Sequence, residues 1–246
     1  MTDITLEAIS KRYDSVVALN NVSITFARGH ITAIVGKSGC GKSSLIKMCN
    51  GLSRPDTGRV VLFDREIDYG ELPSIRARIG YALQGTGLFP HLTIQDNITL
   101  LARIKKWSAG DIERRVGQLL ALMQLQVSQL TQYPHELSGG QQQRVGLCRA
   151  MMLKPEILLL DEPFAAIDPL TRMDIHQQLL ELHQSEPITT ILVTHDMQEA
   201  LLLADDIVVM DSGQIIHHVS KHRLLENYAG LEPNQLLLSL MSEGVS

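Results

Sequence analysis

Cysteine is scarce in this chain of 246 residues, and the three that occur, Cys40, Cys49 and Cys148, form neither a metal-ligand spacing nor an even disulfide set. They read as reduced thiols. Positive charge is not in excess either. A formal net charge of −5 and a pI near 6.0 leave no basic field to hold a nucleic-acid backbone, so no nucleic acid is expected as a partner. No uninterrupted apolar run approaches the roughly 20 residues of a membrane-spanning helix. The start, Met1-Thr2-Asp3-Ile4-Thr5-Leu6-Glu7, lacks the basic and apolar regions of a signal peptide. The chain is therefore expected to stay in the cytosol and to meet a membrane only through another protein. Internal repeats, low-complexity segments and long linkers are missing too, which leaves one folding cassette.

What is present reads as an ordinary globular protein, 44% hydrophobic and 20% charged. Strand-like runs at Thr5–Ser10, Val22–Phe26 and Arg59–Phe63 suggest a β-rich N-terminal part, with turns at Arg28-Gly29 and Asp56-Thr57-Gly58. Further runs at Ile31–Val35, Ile79–Leu83, Ile157–Leu160, Thr189–Thr194 and Asp206–Met210 alternate with helical stretches, as in a parallel sheet covered by helices. Between residues 84 and 155 helical periodicity dominates, at Thr93–Arg103, Asp111–Leu125 and Gly140–Leu153. The expected fold is α/β: a parallel-sheet core with an N-terminal antiparallel β subdomain and an inserted α-helical subdomain.

Gly36-Lys37-Ser38-Gly39-Cys40-Gly41-Lys42-Ser43 lies between the strand-like His30–Val35 and the helical Lys42–Met48. That context makes it a phosphate loop. Its glycines let several N–H groups converge, and the helix beginning near Lys42 turns its positive end to the same point. Lys42 is expected to reach the β- and γ-phosphates of a nucleotide and Ser43 to ligate Mg²⁺. Ile157-Leu158-Leu159-Leu160 leads into Asp161 and Glu162 at a strand's carboxyl end, where ligands collect in open α/β sheets. Alternation along a strand would point the two carboxylates to opposite faces, giving Asp161 to Mg²⁺ and Glu162 to the attacking water. Downstream of the loop, Ser138-Gly139-Gly140 precedes the amphipathic Gln141–Leu153, so Ser138 can cap a second helix with phosphate-binding N–H groups.

With Leu137-Ser138-Gly139-Gly140-Gln141-Gln142-Gln143-Arg144 downstream of the phosphate loop, the chain resembles the ATPase subunits of ABC transporters from about Ile4 to Ile216. The resemblance implies ATP and Mg²⁺ as cofactors, with Gly36, Lys37, Ser38, Gly39, Cys40, Gly41, Lys42, Ser43 and Ser44 around the phosphates. It implies that Ser138, Gly139, Gly140 and Gln141 close over the ATP of another subunit in a head-to-tail dimer, homomeric or with a second ATPase subunit. Single positions carry over likewise: Tyr13 on adenine, Gln84 on Mg²⁺ or the attacking water, Asp168 at the dimer seam, His195 on the γ-phosphate. Asp161 and Glu162 match the family's Walker B motif, and Ala165-Ala166-Ile167 departs from its more usual Gly-Ala-Leu.

The layout the resemblance implies is a P-loop (RecA-like) nucleotide-binding core with the β subdomain at 1–84 and 156–216, a helical subdomain at 85–155, and a short extension at 217–246 without CBS modules. Partners implied are integral membrane permease subunits and a solute-binding protein acting through them, which places the chain at the cytoplasmic face of the cell membrane. The segment Gln84–His91, followed by Trp107, is similar to importers of glycine betaine, choline and related quaternary amines. Importers of amino acids or polyamines, and a soluble ABC-type ATPase outside transport, are the alternatives.

Overall fold

The computed structural model describes residues 2–83, 85, 87–185, 187–228 and 230–243. It falls into two compact units, one of residues 1–76 with 188–246, the other of residues 77–187.

The first unit opens with two long antiparallel strands, β1 (Thr2–Tyr13) and β2 (Val16–Ala27). Both outrun the strands read from sequence, because bulges interrupt the period-two pattern. Ile4 and Leu6 are buried, then the inward position slips to Ile9, past Ala8 with its left-handed φ of 50°. Next come β3 (Ile31–Gly36), α1 (Lys42–Cys49), β4 (Thr57–Leu62), β5 (Arg65–Glu66) and α2 (Leu72–Arg76). The unit resumes with β8 (Thr189–Val193), α7 (Met197–Leu203), β9 (Asp206–Asp211), β10 (Gln214–Ser220), α8 (Lys221–Asn227) and α9 (Pro233–Glu243). Strands β2, β1, β4 and β5 form one antiparallel sheet. In the other, β3 lies between β8 and β9, parallel to both, with β10 antiparallel on β9. Every residue of β3 and β8 is buried, as expected of parallel strands covered on both faces. Strand β10 was not read from sequence, and the boundary expected at 216/217 falls inside it.

Asp3 ties the two sheets together: its buried carboxylate accepts from Arg28 at 2.7 Å and from the Thr189 hydroxyl.

The second unit holds β6 (Ile79–Ala82), α3 (Ile94–Ile104), α4 (Ala109–Leu122), α5 (Gly139–Met151), β7 (Ile157–Asp161) and α6 (Pro169–Ser185). Helices α3, α4 and α5 begin at Thr93, Ser108 and Ser138, whose hydroxyls accept from the third helical N–H, Asp96, Asp111 and Gln141. Strands β6 and β7 pair in parallel from Ile79 opposite Ile157 to Ala82 opposite Leu160. Gly80 is needed there, since a Cβ would lie 2.3 Å from the Ala150 carbonyl oxygen of α5. Glycine lets the helix end pack directly on the strand.

Cys49 and Cys148 are fully buried, and burial pushes both thiols up to about 12. An unfolded chain would release these protons from about pH 8.5 upward, whereas the folded one retains them. Stability is therefore complete below that pH and falls as pH rises toward 12. The expected slope is about 1.4 kcal/mol per pH unit for each thiol. Urea midpoints between pH 8 and 11 should fall faster in the wild type than in Cys49→Ala/Cys148→Ala.

Candidate active site

The turn between β3 and α1 takes its shape from its glycines. Gly36 has φ 152°, and a Cβ on it would come 2.2 Å from the Met210 carbonyl oxygen of β9; Gly39 and Gly41 adopt φ 80° and 109°. An L side chain is disfavoured at all three positions. Lys42 is buried, 6% exposed, and its ammonium donates to the carbonyl oxygens of Gly36 at 2.7 Å and Lys37 at 2.8 Å. The loop's own backbone thus fixes a positive charge inside the turn. Cys40 is 5% exposed, with Sγ 3.8 Å from the Lys42 ammonium. Lys37, Ser38 and Gly39 lie on the exposed side of the turn, and Ser43 and Ser44 are half-buried in the first turn of α1.

Register places a second element at the same edge. Ile34 of β3 pairs with Val193 of β8, so the loop and the exposed His195 both leave the carboxyl ends of neighbouring parallel strands. Asp196, just beyond, caps α7 through the N–H groups of Gln198 and Glu199. Tyr13 closes β1 with its ring 43% exposed; its hydroxyl pairs with Ser53 Oγ at 2.8 Å and the Lys11 ammonium stands 5.5 Å from the ring centre.

In the second unit, Asp161 ends β7, 3% exposed, and Glu162 follows with φ 48°. A non-glycine residue in that region costs on the order of 1 kcal/mol or more. This corrects the alternation argument: Glu162 lies outside the strand on left-handed backbone, so the pleat does not set the direction of its carboxylate. Tyr81, on β6, has a hydroxyl pushed up to about 12 by burial and, secondarily, by the charge of Asp161. Gln84, two residues beyond the end of β6, lies outside the described residues.

Ser138 and Gln141 form a reciprocal capping box: Gln141 N donates to Ser138 Oγ at 3.3 Å, and Ser138 N to Gln141 Oε1 at 2.8 Å. The motif is thus a helix cap in its own right. Gly140 packs against the loop after β7, where a Cβ would come 3.0 Å from the Ala166 oxygen. Gln143, buried, accepts from Ala166 N at 2.8 Å. Asp168 caps α6 by accepting from Thr171 N at 3.0 Å; the Thr171 N–H and hydroxyl, with Arg144 as a weaker influence, hold its carboxyl below the usual range. The structure therefore brings signature helix and Asp168 loop together. Gln143 was missed from sequence, because its partner is 23 residues away and only its place inside the signature run marks it.

Phe89, 42% exposed, stands on a loop organised by one side chain. Buried Asn97 accepts from Phe89 N at 2.8 Å and donates to the carbonyl oxygens of Phe89, Leu92 and Thr93 at 3.0–3.1 Å. Arg149 holds the other end through Gly87 O at 2.8 Å, with its guanidinium 5.9 Å from the Phe89 ring.

The family model described as "ABC transporter" matches residues 19–165. A choline transport ATP-binding protein of Bacillus subtilis is 40% identical over 92% of this chain, which spans 60% of that relative's length. A glycine betaine uptake system ATP-binding protein of Escherichia coli is 41% identical over 85% of the chain and 68% of its own. A probable sulfate/thiosulfate import ATP-binding protein of Chlorella vulgaris is 41% identical over 91% and 94%. Among solved structures, a dimeric ATP-binding cassette in a post-hydrolysis state, bound to ADP and Pi, superposes with a TM-score of 0.84 at 30% identity, over 89% of this chain and 98% of that one.

Proposed function

The chain belongs to the ABC transporter family of ATP-binding proteins, and from that premise we propose that it hydrolyses ATP to power a multi-subunit importer of quaternary-amine osmoprotectants. The observation that carries the ATPase reading is the phosphate loop, where three glycines in conformations that L side chains rarely adopt shape a turn whose backbone carbonyls hold a buried Lys42 ammonium. Loop N–H groups and Lys42 bind the β- and γ-phosphates, and Tyr13 offers its exposed ring to the adenine. Glu162 accepts the proton of the attacking water, His195 orients the γ-phosphate, and Gln84 positions the water.

The donor set suits Mg²⁺, since a serine hydroxyl and a carboxylate are hard oxygen ligands. Ser43 and Asp161 would hold the ion, which would supply neutralisation of the charge that develops on the phosphates. Ser138, Gly139, Gly140 and Gln141 of a second copy would complete each site, with Asp168 at the seam. Among the described residues no helix is long and apolar enough to cross a membrane. Attachment at the cytoplasmic face would then run through permease subunits, with Phe89 as an apolar anchor. Phe89→Ala should uncouple transport at unchanged basal ATPase, whereas Asn97→Leu, which strips four loop hydrogen bonds, should also lower the melting temperature by several degrees. Equal loss of transport and ATPase in Phe89→Ala, with matching loss of stability, would mark Phe89 as packing only.

Similarity to choline and glycine betaine proteins supports the solute class, and the Gln84–His91 segment with Trp107 adds to it. The sulfate/thiosulfate relative, at equal identity, supports an oxyanion importer as second reading. Reconstitution with the cognate permease and binding protein separates them. ATPase stimulation by betaine, choline or carnitine is expected; stimulation by sulfate or an amino acid alone would remove the osmoprotectant assignment.

A further inference from the structure

The second unit carries a concave site whose residues take no part in the nucleotide chemistry. A cavity of about 510 Å³ is lined by Lys106 and Trp107 from the turn after α3, Asp111, Arg114 and Arg115 from α4, and Lys154 from the turn after α5. That volume is within the range of small-molecule sites. Asp111 is already engaged, by the Ser108 hydroxyl at 2.6 Å and by Arg114 at 3.1 Å. Its charge offsets that of Arg114, so Lys106, Arg115 and Lys154 set the sign of the cavity.

Placement of the two lysines is informative. Both adopt left-handed backbone, φ 57° at Lys106 and 53° at Lys154, just past the ends of α3 and α5. Glycine ordinarily fills such positions. Here each instead sets a cation on the rim. Arg115 is 8% exposed and donates to the Met151 carbonyl oxygen at 2.8 Å, which fixes its guanidinium in the wall. Trp107, half-buried, supplies a flat π-face among these cations.

We propose that this cavity binds a phosphorylated ligand with a planar ring, of mononucleotide size, its phosphate on Lys106, Arg115 and Lys154 and its ring on the Trp107 indole. Phosphate alone uses the cations and leaves the indole idle, so it binds more weakly than a nucleoside monophosphate.

Trp107 is the only tryptophan of the chain and reports directly on the cavity. Its emission is followed while the full chain is titrated with AMP, inorganic phosphate or phosphatidylglycerol vesicles. Saturable quenching by AMP is expected, weaker with phosphate, with the AMP Kd raised about tenfold or more in Lys106→Glu/Lys154→Glu. Both lysines are exposed, so the melting temperature should hold, and Lys106→Gln/Lys154→Gln gives the same test with less change of charge. Lys42→Ala should leave the AMP response intact. The proposal is overturned if AMP gives no saturable quenching, if the double variants bind it unchanged, if the response disappears with Lys42→Ala, or if only the vesicles quench.

Discussion

Lys42→Ala is expected to raise the Kd for ATP by about 30- to 1,000-fold, because it removes the one buried cation of the phosphate loop. Truncating one partner of a close charge pair typically costs about 2–4 kcal/mol, and that sets the range. The fold should survive. In the free protein the ammonium is stabilised by the carbonyls of Gly36 and Lys37 and, more weakly, by Cys40 Sγ, and relief from burying a charge offsets the loss of those bonds. Calorimetric titration with ATP gives the affinity, and thermal unfolding without nucleotide gives the control. A melting temperature within a few degrees of wild type together with the weakened affinity is the expected pair. Unchanged affinity would mean that Lys42 is a structural pin and not a phosphate ligand.

Glu162→Gln is expected to do the opposite to binding: ATP is retained while turnover falls by about 10²–10⁴-fold, the contribution typical of a positioned general base. The amide keeps the volume and the half-buried place of the carboxylate, but it cannot take the proton of the attacking water. Its left-handed backbone at φ 48° is kept by either side chain, so the variant should fold as the wild type does. With hydrolysis blocked, the closed ATP-bound dimer should accumulate. Light scattering on a gel-filtration column run with ATP and Mg²⁺ should then report about twice the 27.3 kDa of the chain, and a single chain mass without nucleotide. A variant that remains at one chain mass with ATP and hydrolyses it normally would remove both the catalytic role and the dimer.

The phosphate loop was legible in the sequence because its chemistry depends on a fixed spacing within one turn, where local order alone decides the geometry. Buried parallel strands were legible for a similar reason: continuous apolar runs such as Ile157–Leu160 have no other place in the fold. Strand β10 escaped because its histidines and half-exposed positions show no clean alternation. The lengths of β1 and β2 escaped because bulges at Ala8 and Asn21 slip the inward face by one residue. At the site itself, the conformation of Glu162 depends on backbone geometry that residue types do not reveal. The bond from Ala166 N to Gln143 and the four bonds of Asn97 depend on packing between segments distant in sequence, which periodicity cannot report.

Phosphate release from ATP and Mg²⁺ by the purified chain, wild type beside Glu162→Gln at equal ATP occupancy, tests most directly whether this cassette is an ATPase driven by that carboxylate. The predicted result is continuous release by the wild type and about a hundredth of that rate or less in the variant. Equal rates in the two proteins, or no release by the wild type under conditions where it binds ATP, would contradict it.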